Sequence, residues 1–186
     1  MSVEDQTGAL LVRWRGGEAS ARDRLIGRLY PALEQLAAAR LRGERDSSLS
    51  TGDLMNDTIL RLIQIERISL EDRAHLIALA SRMMRRILVD HARLKASGKR
   101  RHVKVELRTN IDGGQRLDLI SLEHALMRLK AVDEALAELV EMRYFGGMTT
   151  ADIAFVMGLS EPTVKRRWQV ARAWLTDAMA DFPGDD

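Results

Sequence analysis

The sequence predicts an all-α protein, with two small helical domains joined by a flexible linker and a helix-turn-helix in the second. Three observations lead there. Ala, Leu, Arg, Glu and Met dominate a chain with only 3 prolines, which favours helix throughout. Apolar residues recur at three- and four-residue spacing along most of the chain, and no alternating strand pattern of useful length is present. Residues 149–175, TTADIAFVMGLSEPTVKRRWQVARAWL, read as two short helices around a glycine turn. With 186 residues and 46% apolar content the chain can bury one ordinary core or two small ones.

Taken in order, Gly8 to Arg15 forms a short first helix that Gly16-Gly17 ends. Glu18 to Arg42 follows, with an apolar stripe of Leu25, Leu29, Leu33, Leu36 and Leu41 and a kink expected at Pro31, which lacks a backbone donor. The polar connector GERDSSLSTGD leads to a third helix marked by Leu54, Thr58, Ile59, Leu62 and Ile63, and Ile65 to Asp72 is a loop. A fourth helix, about Arg73 to Ala96, is expected to bury Leu76, Leu79, Ala80, Met83, Ile87 and Leu94 and to keep its arginines outside. Residues 97–120 lose periodicity and contain Gly113-Gly114, as a linker does. Beyond them Leu122, Leu126, Leu129, Val132, Leu136, Leu139 and Val140 make a helix pair, and Gly146-Gly147 precedes Thr149 or Thr150 as the next cap.

In the helix-turn-helix, Ile153, Ala154, Val156 and Met157 share one side, Gly158 permits a left-handed turn, Leu159 packs back, and Ser160 caps a helix with Pro162 in its first turn. Val164, Trp168, Ala171 and Leu175 then face the core, and Trp168 and Trp174 fit that core better than a stacking platform. Thr163, Lys165, Arg166, Arg167 and Gln169 are left on the other faces. A basic, short-polar helix start suits the major groove of DNA.

Composition excludes several classes. Zero cysteines removes disulfides, thiolate metal sites and a cysteine nucleophile, and the four histidines show no ligand spacing, so neither metal nor cofactor is expected. There is no phosphate loop or nucleophile elbow, so an enzyme would have to assemble its catalytic groups from scattered positions. No catalytic residue is expected. No 18-residue uncharged run or signal peptide is visible, which predicts a cytoplasmic protein without membrane insertion. The net charge of +2 hides an asymmetry: eleven Lys or Arg stand against Asp90 and Glu106 between Arg73 and Arg108, while acids outnumber bases by seven elsewhere. Such a segment is an electrostatic footprint for a polyanion.

With both modules in view, the chain resembles a bacterial extracytoplasmic-function (ECF) sigma factor of RNA polymerase. The resemblance spans nearly the whole chain and is carried by LLVRWRGGEASARDRLIGRLYPALEQLA, DLMNDTILRL, RAHLIALASRMMRRILVDHARLKASGKR and ELVEMRYFGGMTTADIAFVMGLSEPTVKRRWQVARAWL. It implies a division into residues 1–97, which dock core RNA polymerase and open the minus-ten element, a linker over 98–120, and residues 121–186, which read the minus-thirty-five element. It implies that Asp53, Asn56, Asp57 and Arg61 face the polymerase and that Arg82, Arg85, Arg86 and Arg93 hold the phosphates of the opened strand. The loop Glu66 to Asp72 matches the family's base-capture position, yet it and the following helix contain no aromatic residue. Stacking worth about 1–3 kcal/mol per base is therefore not available there, and phosphate capture with an apolar pocket lined by Leu70 or Leu76 would have to serve. In the second module Ser160, Glu161, Thr163, Lys165, Arg166 and Arg167 open the recognition helix, with Arg166 and Arg167 expected on phosphate or guanine.

One departure from the family bears on control. Docking helices of this kind open with several acidic side chains, whereas this chain has Ser50-Thr51-Gly52-Asp53. A phosphate on Ser50 or Thr51 would restore about −1.5 to −2 charges at a helix N-terminus, where negative charge is favoured. A Ser/Thr kinase is thus a candidate partner beside an anti-sigma factor. Ser50-x-x-Asp53 equally fits a helix cap, which is compatible with it. The alternative function is a two-domain DNA-binding regulator that acts without polymerase, but no heptad seam offers the dimer it would need.

Overall fold

The computed structural model describes residues 3–41, 49–65, 73–98, 106–108 and 116–180. Eight helices account for almost all of them: α1 (Val3–Arg15), α2 (Ala19–Leu41), α3 (Thr51–Ile63), α4 (Arg73–Gly98), α5 (Leu119–Val132), α6 (Glu134–Tyr144), α7 (Thr150–Met157) and α8 (Glu161–Ala180). The all-α expectation holds with one addition. Strands β1 (Glu106–Arg108) and β2 (Arg116–Asp118) pair antiparallel inside the expected linker, with Leu107 opposite Leu117. Three residues a side are too few to leave an alternating signature in the sequence. The expected connector up to Ser48, with Ser47, the base-capture loop with Leu70, most of the linker and the acidic tail lie outside the described residues.

The helix boundaries follow local chemistry. Ser50 Oγ accepts from the Asp53 amide at 3.1 Å while the Asp53 carboxylate accepts from the Ser50 amide at 2.9 Å, so α3 opens on a reciprocal capping box. Thr149 and Asp152 build the same box on α7. Asp118 and Asp133 cap α5 and α6 by accepting from Ser121 and Leu136 amides. Helix α7 ends at Gly158 with φ +63 and ψ 33, the left-handed conformation that an L side chain resists. Because the Thr149 cap satisfies backbone donors that no other group in a short helix can reach, Thr149→Ala is expected to cost about 1 kcal/mol, read as a lower urea midpoint at unchanged slope.

Two expectations need correction. Helix α1 starts at Val3, five residues before Gly8, and buries Thr7, Leu10, Leu11 and Trp14. Leu94, assigned to the core, is 71% exposed, although Ala92 beside it is fully buried and Lys95 after it is half-buried, so Leu94 points away from the helices that cover its neighbours. Helix α2 runs without interruption through Pro31.

Helix α4 is the centre of the packing. It touches α1, α2 and α3 and also α5, α6 and α7. A single cluster of buried residues accordingly runs from Leu10 and Trp14 through Leu76, Met84 and Leu88 to Leu122, Val140, Phe145 and Leu175. A second cluster joins Ala78 of α4 to Leu139, Met142, Met148, Ile153, Ala154 and Val164. Among the described residues no helix is long and apolar enough to cross a membrane.

Candidate polymerase and nucleic-acid interfaces

Three surfaces carry the residues singled out by sequence. The first is the outer side of α3. Leu54, Met55, Thr58 and Leu62 turn inward, which leaves Asp53, Asn56 and Asp57 exposed on the opposite side. Arg61 is half-buried, with its guanidinium 3.9 Å from the Asp90 carboxylate of α4, a surface contact that fixes little by itself. Hydrogen bonds from the Ser50 side chain and backbone hold the Asp53 carboxyl below the usual carboxylate range. The Ser50 hydroxyl is fully engaged, since it both accepts the Asp53 amide and donates to Asp53 Oδ2 at 2.7 Å. Thr51, one residue into the helix, lies partly exposed.

The second surface is the start of α8. Val164, Ala171 and Leu175 are buried, so the helix presents Ser160, Glu161, Lys165 and Arg166 to solvent and keeps Thr163 and Arg167 at the edge. The Thr163 amide lies 3.4 Å from Ser160 Oγ, and the Ser160 carbonyl accepts from the Val164 amide at 3.0 Å. The helix is fixed from behind by aromatic contacts. Trp168 packs edge-on against Tyr144 with centroids 5.2 Å apart, and the Arg143 guanidinium sits 5.6 Å from the Trp168 ring. Arg143 also donates to the Met148 carbonyl at 3.2 Å, tying α6 to the segment entering α7. Trp174 lies beneath Arg128 at 5.9 Å. Both tryptophans therefore support the helix, as their spacing indicated. Arg143 went unnoticed in the sequence because nothing local distinguishes it from a solvated arginine.

The third surface, the arginine face of α4, departs from expectation. Arg86 and Arg93 are exposed, but Arg82 and Arg85 do not stay outside. Arg85 lies between two carboxylates: it pairs with Glu123 of α5 and, at 2.6 Å, with Glu141 of α6, in a cluster whose side chains are 15%, 11% and 11% exposed. Arg82 donates to Glu138 at 2.8 Å and stands 3.6 Å from Glu141. The Nε atoms of both arginines are buried with no hydrogen-bond partner. Sequence reading placed the cations and missed their partners, which lie 38 and more residues away and look like ordinary solvated acids on two separate helices.

Below this cluster the turn Phe145-Gly146-Gly147-Met148 presses on α2 and α4. Arg40, 6% exposed, donates to the Phe145 carbonyl at 3.1 Å, and burial lowers its pKa to about 10. No group of three or more His, Asp or Glu able to hold a metal ion occurs among the described residues.

A search of curated proteins finds no match. Among solved structures, CnrH, determined in complex with the cytosolic domain of CnrY, is 23% identical; the alignment covers 96% of this chain and 100% of that one, with a TM-score of 0.43. The ECF sigma factor family profile matches residues 4–181. The chain belongs to the ECF sigma factor family, whose members bind RNA polymerase and promoter DNA in transcription initiation.

Proposed function

We propose that this protein binds core RNA polymerase through α3, holds the opened minus-ten strand on the arginines of α4, and reads the minus-thirty-five element with α8. The carrying observation is the opening of α8, where Lys165 and Arg166 project from a helix whose opposite side is locked into the core by Val164, Ala171 and Leu175. A rigidly backed helix can place base-reading side chains repeatably in a groove, and the adjacent cations supply phosphate contacts. Transcription from genomic promoter fragments with purified core polymerase tests the reading. Production of discrete transcripts only when the protein is added supports it; failure to associate with core enzyme in any modification state rejects it.

The contribution of α8 can be isolated. Arg166→Ala and Arg167→Ala should each weaken binding to promoter duplex, and loss of one phosphate contact should reduce the slope of log affinity against log salt by about 1. Intact promoter binding in both variants would mean that a different element reads the duplex.

The docking helix carries fewer acids than the family norm, and a Ser/Thr kinase is its proposed activator. Geometry favours Thr51 over Ser50 as acceptor. A phosphate on Ser50 would dismantle the capping box and face the Asp53 carboxylate now 2.7 Å away, whereas Thr51 Oγ1 occupies the first turn without being part of the box. Polymerase affinity is expected to rise for phosphorylated wild type and for Thr51→Glu, and to be unresponsive to kinase in Thr51→Ala but not in Ser50→Ala. Equal affinities across the set would eliminate the switch. An anti-sigma factor acting in place of a kinase would leave these affinities equal while still lowering them when bound.

A further inference from the structure

We infer that α8 selects its DNA by two side chains, Arg166 for a guanine and Gln169 for an adenine in the adjoining base pair, with Val170 against a thymine methyl beside them. This deepens the reading of α8 as the element that enters the upstream major groove, and rests on it. The orientation of the helix dictates which side chains reach the bases. Val164, Ala171 and Leu175 are buried, and Trp168 on the same side is held by Tyr144 and Arg143, so the core fixes the direction that faces away from it. At about 100° per residue, Arg166 and Gln169 stand about 160° and 140° from the core direction, whereas Lys165 and Thr163 stand at about 100° and Arg167 at about 60°. From Pro162 to Ala173 the outermost line is Pro162, Arg166, Gln169 and Ala173, and all four are exposed.

On that line only Arg166 and Gln169 carry hydrogen-bonding side chains, and both are uncommitted. Among the described residues neither has a side-chain hydrogen bond or ion pair, while the Thr163 hydroxyl on the flank lies 2.9 Å from Ser160 Oγ. Three residues of helix advance about 4.5 Å, close to the rise of about 3.4 Å between successive base pairs, so the two side chains reach neighbouring pairs. Base-edge chemistry then separates them. A guanidinium only donates, and guanine presents two acceptors in the major groove, N7 and O6. A carboxamide both donates and accepts, which adenine matches through N7 and its N6 amino group. Against guanine the Gln169 oxygen would face O6 with no proton between them. Val170 is 57% exposed at the edge of this line, and the C5 methyl of thymine is the apolar group that the major groove offers it. Lys165 and Arg167, on opposite flanks, are left for the phosphates that border the groove.

The full chain bound to core polymerase, offered a library of DNA duplexes randomised over the upstream region, tests this. The wild type should enrich a G·C pair next to an A·T pair. Gln169→Ala should lower the preference for adenine at that one position roughly tenfold and keep the guanine, and Arg166→Ala should do the converse. Gln169→Glu, which only accepts, should move the preference at the same position to cytosine, a change that a merely structural residue would not produce. Altered bases put the same question without touching the protein. An adenine analogue with carbon in place of N7 should weaken binding of the wild type but not of Gln169→Ala, and deoxyuridine in place of the thymine should weaken the wild type but not Val170→Ser. Gln169 variants that enrich the same bases as the wild type, or an analogue that binds as adenine does, overturn the adenine contact while leaving α8 as the reader. Equal binding of thymine and deoxyuridine overturns the Val170 contact. A wild type that enriches no upstream sequence overturns the reading of α8 itself, and the base assignments fall with it.

Discussion

Replacing Arg85 by alanine is expected to destabilise the protein by about 3 kcal/mol, near the lower end of the cost of breaking a buried ion pair. Its guanidinium bridges Glu123 and Glu141, and all three side chains are largely removed from water. Truncation leaves two carboxylates facing one another in a poorly solvated site, with Arg82 Nε 3.6 Å from Glu141 as partial compensation. That residual contact is why the lower figure is chosen. In a domain of this length the loss corresponds to a melting temperature lower by on the order of 10 °C. Replacing Arg85, Glu123 and Glu141 together by Met, Leu and Leu should restore most of the loss, because desolvating three charges costs about as much as their attraction returns. The comparison separates two roles. A cluster that stabilises weakly as a unit but strongly penalises removal of one member specifies how α4 pairs with α5 and α6 more than it adds stability. A loss below about 1 kcal/mol for Arg85→Ala would show instead that water reaches the cluster freely.

The sequence made the helices legible where an apolar stripe met a chemical stop signal. Ser50 and Asp53, Thr149 and Asp152, and the left-handed Gly158 are local devices, so their effect could be read from neighbouring letters. Leu94 shows the limit of that reading. A stripe states which side of a helix is apolar, not which of its residues a partner helix reaches, and Leu94 is apolar yet 71% exposed. The ribbon of β1 and β2 was hidden for a related reason: paired strands derive their stability from each other, and neither is long enough to show its own period.

The candidate site divides along the same line. The recognition helix was readable because its buried and exposed faces alternate within one element, and Val164, Ala171 and Leu175 define where Lys165 and Arg166 must point. The α4 arginines were readable as cations but not as partners of Glu123, Glu138 and Glu141, since an ion pair between helices leaves no periodic trace. Electrostatic asymmetry along the chain was the one available hint. A basic segment within an otherwise acidic protein is attracted to its own acids, and the pairs that Arg82 and Arg85 make with Glu123, Glu138 and Glu141 are that attraction realised.

Gly146→Ala is expected to cost about 3 kcal/mol, at the upper end of what one added methyl does to a packed site. A β-carbon at Gly146 would lie 2.4 Å from the Met142 carbonyl, 2.8 Å from Ser81 Oγ and 3.0 Å from Met148 Cγ. The first of these is backbone that ends α6, where the amides of Phe145 and Gly146 both donate to the Glu141 carbonyl and that of Met148 to Met142. Relief therefore requires the turn to lift from α4 and unwind the helix end that carries Glu141. Ser81→Ala in the same chain should recover only a small part of the loss, because the carbonyl clash remains. Gly27→Ala provides the opposite sign: it stands exposed within α2 with nothing within 4 Å of a new β-carbon, and removing its backbone freedom should stabilise by roughly 0.5–1 kcal/mol. Urea unfolding of the three variants ranks them. If Gly146→Ala proved neutral or, like Gly27→Ala, stabilising, the turn would not be seated against Ser81.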